Sequence, residues 1–178
     1  GLFARAPEVT NNRAVGLSMG RDCHYGSSSV VIVAMLAAPS VGGGLAFLNQ
    51  YDRYIDSGIT TRFLPNGEPV VFSADLMDMG SPDMAQLNEY LLGFLVQTLL
   101  IATRTDVPLL RVTFRHKQPA TTAALQDFFK CRLEFGAPHN AIYLPSAFLG
   151  QPFLTCHKLM FSVLANAMDT SFSMGDTT

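Results

Sequence analysis

The chain has 178 residues and a net charge of −2, and it is 48% apolar but only 15% charged, against about 25% charged in an average domain. Its length fits one domain with a sizeable core, and its 12 Lys plus Arg are scattered with no basic run, which excludes a surface that grips nucleic acid by itself. Cys23, Cys131 and Cys156 are odd in number and widely spaced, which excludes a disulfide scaffold and fits a reducing, cytoplasmic setting.

Residues 1–12 carry little periodic signal and no charged-then-apolar leader. In Val15–Gly20 (VGLSMG) the glycines imply a turn or a close backbone approach. The loop Arg21–Ser27 sets Cys23, His24 and Tyr25 side by side, but one Cys–His pair without a third ligand makes no metal site. Ser28–Ala37 is apolar after its two leading serines. Its run Val30-Val31-Ile32-Val33 favours a strand by propensity, although burial can override that preference in favour of a helix.

Pro39 breaks the run, and Ser40 caps a helix whose stripe is Leu45, Phe47, Leu48, Tyr51, Tyr54 and Ile55. Gly42, Gly43 and Gly44 soften its start or admit a neighbouring backbone. No Lys-Ser/Thr follows them, which argues against a phosphate loop. Residues 58–64 and 69–75 form a hairpin around Pro65-Asn66-Gly67-Glu68, with Asn-Gly able to take positive φ. Val70, Phe72 and Ala74 share one face of its second strand. A loop from Asp75 to Asp83 carries Asp75, Asp78 and Asp83. Three carboxylates could hold a divalent ion, but Ser81-Pro82-Asp83 reads better as the N-cap, first position and first-turn acid of the next helix. That helix, Asp83–Arg104, is apolar nearly all round and is expected to be buried on several sides. Its longest apolar run, Tyr90–Ala102, is too short and too interrupted to cross a bilayer.

Leu109–Phe153 is the most patterned stretch. A strand places Leu110, Val112, Phe114 and His116 on one side and Leu109, Arg111, Thr113 and Arg115 on the other. Pro119 ends it. A short helix with Leu125, Phe128 and Phe129 follows, with Thr121 or Thr122 as N-cap. Cys131–Phe135 is a second strand, Gly136–Asn140 a turn, and Ala141–Leu144 a third strand closed by Pro145. His157–Met168 reads as a last amphipathic helix, and SFSMGDTT as the start of a linker.

The order of Val112, Phe114, His116 and Pro119, then Phe128, Phe129 and Cys131, then Phe135, Gly136, Ala137, Pro138, Asn140 and Ala141, then Leu149 and Pro152, resembles the N-terminal effector domain of AraC-type transcriptional regulators. VGLSMG resembles the G-L-x-x-G ahead of that family's first core helix. The resemblance spans Val15 to about Met168 and favours a helix at Ser28–Ala37. It implies a bacterial-type sensor that binds a small effector, helps set a homodimer and controls a DNA-binding helix-turn-helix module outside this chain. Contact with DNA would be made only through that module.

No G-x-S-x-G, no H-E-x-x-H and no Cys with an evident base is present, so neither an enzyme nor a cofactor or metal is expected. His116 would either polarise a ligand or satisfy its ring nitrogens at a sheet end. Arg62, Arg111 and Arg115 would meet an acidic effector or form a solvated strand face. The expected pocket lies between the sheet and the two apolar helices. Phe47, Tyr51, Phe72, Tyr90, Phe94 and Phe114 would line it, with His116 as its polar member. The expected fold is α+β: one mostly antiparallel sheet of about five short strands against four to five helices. Residues 1–170 would form the regulatory domain and 171–178 the start of the linker. The alternatives are a ligand-free dimerisation module and a small α+β enzyme, the latter requiring a cleft of converging polar groups.

Overall fold

The computed structural model describes residues 14–23, 29–77 and 84–175. Six helices and five strands occur among them: α1 Val15–Asp22, α2 Val30–Ala37, α3 Val41–Gln50, β1 Ile59–Leu64, β2 Val70–Leu76, α4 Met84–Thr103, β3 Arg111–Phe114, α5 Ala123–Phe129, β4 Arg132–Phe135, β5 Ala141–Leu144 and α6 Lys158–Gly175. The expected α+β class holds. One helix more than expected is present because VGLSMG is itself helical. The proposed capping of α4 by Ser81, and the residues His24, Tyr25, Asp78 and Asp83, lie outside the described residues. Helix α6 continues through Gly175, into the stretch read as a linker.

The sheet runs β1-β2-β5-β3-β4. All pairs are antiparallel except β3 with β4, where α5 provides a short crossover between parallel neighbours. Register aligns Phe63, Phe72, Ile142, Val112 and Leu133 across the five strands. Alternation then puts every second residue on this inner face, which the helices cover. The outer face is more polar, as one side of an antiparallel sheet commonly is. Arg111 lies there, 3.3 Å from Glu134 and with its guanidinium 3.9 Å from the centre of the Tyr143 ring, so it serves the solvated face.

Asn140, wholly buried, joins three strands. Its carbonyl accepts from Ala74 N at 2.9 Å. Its side-chain oxygen accepts from Arg115 N at 2.9 Å. Its backbone N–H and its Nδ2 both donate to Asp75 Oδ1, at 2.9 and 3.0 Å. Asp75 also meets His139 Nδ1 at 2.7 Å. Asp75, expected where the second hairpin strand gives way to a loop, thus lies within β2 and ties it to β5. The β1–β2 turn closes without positive φ at Asn66 or Gly67; among the described residues only Arg104, Lys130 and Gly136 have it.

Helix α2 forms despite its β-branched run, with Val31, Ala34, Met35 and Ala37 wholly buried at helical spacing, so tertiary burial overrides propensity. Ser40 caps α3 by accepting from Gly43 N. Gly44 leaves room for the Phe153 ring, which a Cβ there would meet at 2.6 Å. The closest helix pair is α1 with α4. A Cβ at Gly16 would sit 1.9 Å from Gln86 O, and one at Gly20 would sit 2.4 Å from Tyr90 O, so only glycine admits the backbone of α4 at this distance. By length and composition α4 could cross a bilayer, a test that a soluble core helix also meets. Here α4 packs on α1 and β2.

Candidate functional site

A cavity of about 320 Å³ lies between the β1–β2 half of the inner face and the helices. Strand alternation supplies Ile59 and Thr61 from β1 and Phe72 and Ala74 from β2. Helix α4 contributes Tyr90, Leu91, Phe94, Leu95 and Thr98 on one stripe. Helix α2 adds Ile32 and Met35, and α3 adds Leu48. Cys23 and Ser29 complete one end and Ile55 another.

Its polar groups are few. Thr98 Oγ1 donates to Phe94 O at 2.7 Å, which leaves its lone pairs available. Thr61 Oγ1 donates to Asp52 Oδ2 at 3.1 Å. Burial, with the neighbouring Cys23 thiol, raises the Tyr90 hydroxyl above its ordinary pKa. The Ser29 hydroxyl is buried and finds no hydrogen-bond partner among the described residues. No carboxylate, imidazole, ammonium or guanidinium lines the cavity among those residues. The site can therefore hold an apolar body with one or two hydrogen-bonding groups, but its described lining has no acid–base pair with which to move a proton.

Of the residues expected at a pocket, Phe72, Tyr90 and Phe94 come together here. Phe47 on α3 and Tyr51 just past its end face α6 instead. Phe47 packs on Phe161 at 5.3 Å between ring centres, and the Tyr51 hydroxyl bonds Asp169. Burial, followed by that carboxylate, pushes Tyr51 up to about 12. Phe114 and His116 occupy the far half of the inner face, with Phe129 and Phe135. The seven residues thus fall into three places.

Beside His116 is a group the sequence reading missed. Glu89 of α4 is 2% exposed, and its Oε1 is 3.6 Å from His116 Nε2. Burial pushes its carboxyl up to about 7, and burial lowers His116 from its ordinary value. The available signal was one acid in the middle of a helix that is otherwise apolar nearly all round. Thr61, Ala74 and Thr98 were also missed, though strand parity with Phe72 and helical spacing from Phe94 mark them. Leu48, Ile32 and Met35 gave no signal distinct from core.

Among curated proteins, none is significantly similar to the chain. The crystal structure of the transcriptional regulator CdpR from Pseudomonas aeruginosa is similar in fold, with a TM-score of 0.62 and 22% identity over 88% of this chain and 51% of that one. The chain thus spans about half the length of that regulator. The family profile described as the N-terminal arabinose-binding domain of AraC transcription regulators matches residues 1–153, a family of regulators and not of enzymes. With that match over most of its length, the chain belongs to the family of N-terminal arabinose-binding domains of AraC transcription regulators.

Proposed function

We propose that this domain senses a small, uncharged and largely apolar effector in the 320 Å³ cavity, and that occupancy controls a DNA-binding helix-turn-helix module in the same cytoplasmic regulator. The observation that carries the reading is the cavity itself, which draws its lining from β1, β2, α2, α3 and α4. A ligand bridging five elements has a different affinity for each arrangement of them, and only such a difference can shift a population. Helix α2 turns Ile32 and Met35 to the cavity and also packs against α6, so it connects the cavity to the last helix. A pentose suits the lining poorly. Each buried sugar hydroxyl needs a partner, and the described lining offers a few hydroxyls and one thiol.

Thermal-shift titration with medium-chain alcohols, substituted phenols and lactones, with arabinose alongside, tests this. A true effector at a hundred times its Kd is expected to stabilise the domain by about 2.7 kcal/mol. Thr98→Leu should abolish the shift by filling the cavity, at little structural cost because the lost hydroxyl bonds only its own helix. A panel without a single stabilising member, or stabilisation that Thr98→Leu leaves intact, would count against the reading.

A homodimer has its own support in the outer face of α6. Leu159 is 71% and Val163 56% exposed, with Met160 beside them, and adjoining apolar side chains left in water on one helix commonly mark an association surface.

A further inference from the structure

The geometry points to a second binding site, at Glu89, for a small organic ammonium ion. It is separate from the effector cavity and does not depend on it. A cavity of about 200 Å³ is lined by Glu89, Ala14, Pro119, Thr121 and Ala123 to Leu125. Thr121, Ala123 and Ala124 are exposed, so this wall meets solvent, whereas Glu89 is buried at its inner end.

The carboxylate is short of donors. Oε2 has no partner among the described residues, and Oε1 faces His116 Nε2 at 3.6 Å, beyond hydrogen-bond length. His116 Nδ1 lies 2.9 Å from Lys117 O. A carbonyl only accepts, so Nδ1 carries the proton and Nε2 of the neutral ring is a lone pair. With Glu89 ionised, it and His116 therefore present acceptor to acceptor, and Nε2 likewise lacks a partner among the described residues. The Phe114 and Phe135 rings beside the imidazole offer no donor, at 5.0 and 5.5 Å between ring centres.

A buried acceptor cluster is completed by a guest that brings N–H groups. The rest of the described lining fixes its kind: one hydroxyl, a proline ring and short aliphatic side chains, with no second charge among the described residues. An alkylammonium ion matches both halves, with its head on the carboxylate and its few carbons along Pro119, Ala123 and Ala124. Binding would also hold Glu89 ionised, against the burial that otherwise favours its proton.

Calorimetric titration of the 178-residue chain with n-propylammonium chloride tests this, with n-propanol and equimolar sodium chloride as controls. One propylammonium per chain is expected to bind saturably, with no saturable binding of propanol. The Glu89 carboxyl carbon resonance should move to its ionised position. Glu89→Gln should weaken the amine at least about tenfold, the loss of one charge-assisted contact. Ala124→Phe, an exposed substitution that leaves the core untouched, should block entry. Both variants should retain any ligand of the 320 Å³ cavity, which separates failure here from failure there. No saturable amine binding (water alone in the cavity), equal binding of propanol, or unchanged affinity in both variants overturns the assignment.

Discussion

Replacing Gly20 by alanine sets two effects of known size against each other. Inside a helix, alanine is better than glycine by about 1 kcal/mol, so a free α1 would gain. Against α4, however, the new methyl would lie 2.4 Å from Tyr90 O and 2.8 Å from Phe94 N. Both are backbone atoms, so no rotamer change relieves the clash. A carbon–oxygen contact relaxes only at about 3.3 Å, so α1 must retreat by nearly 1 Å. A gap of 0.5–1 Å forfeits roughly a quarter to a half of the dispersion contacts along the pair, and overpacking generally costs about 1–3 kcal/mol. The net expectation is a loss of up to about 2 kcal/mol. At roughly 2–4 °C per kcal/mol for a domain of this size, Tm should fall by up to about 8 °C. Calorimetric melting of Gly20→Ala beside Met19→Ala, on the exposed side of α1, provides the assay. A rise in Tm for Gly20→Ala would show that α1 does not rest on α4, and the packing argument would be wrong.

Urea unfolding between pH 5 and 8 should reveal Glu89. Its folded pKa of about 7 exceeds its ordinary 4.5, so its proton is held more tightly in the fold. Stability is full below pH 4.5 and declines as pH rises towards 7, by about 3 kcal/mol in all at 1.36 kcal/mol per unit. His116, lowered by burial, acts oppositely and loses stability as pH falls below 6.5. Glu89→Gln should remove the first slope and leave the second; an unchanged profile would argue against a buried acid. Asn140→Ala strips partners from Arg115 N and Asp75 and is expected to cost about 2–3 kcal/mol in equilibrium denaturation, a cost that near-neutrality would contradict. If α6 mediates self-association, Leu159→Glu should convert dimer to monomer in sedimentation velocity without lowering Tm, whereas a wild-type chain that sediments as a monomer at all concentrations would refute that interface.

Strand alternation made the hairpin, β3 and β5 readable, because period two appears in five residues. The string Pro138 to Ala141 stood out only through the family resemblance, and the fold supplies its physical reason: Asn140 satisfies three strands at once. Helix α2 was ambiguous because Val and Ile prefer strands locally, and only the burial of Val31 and Met35 under neighbouring elements decides the matter. The pairing of β3 with β4 in parallel was not legible, since a seven-residue helix between two strands looks like any short connection. The aromatic residues chosen for a pocket split into three clusters because spacing reports which side of an element is apolar and not which neighbour it meets. Phe47 and Leu48 are adjacent, yet one rests on α6 and the other on the cavity. Glu89 was overlooked because its importance comes from His116, 27 positions away in the chain and 3.6 Å away in space.

The two rims of the sheet differ from its middle in a way that bears on how copies of the domain meet. At one rim β4 turns Arg132 outward, 3.0 Å from Glu134. At the other, β1 leaves Thr60 and Arg62 in water. Unsatisfied amides along such borders would invite a neighbour to extend the ladder, and charged side chains there deter it. A crowded solution of this protein should therefore resist forming continuous cross-molecular ladders, leaving contacts between molecules to other surfaces.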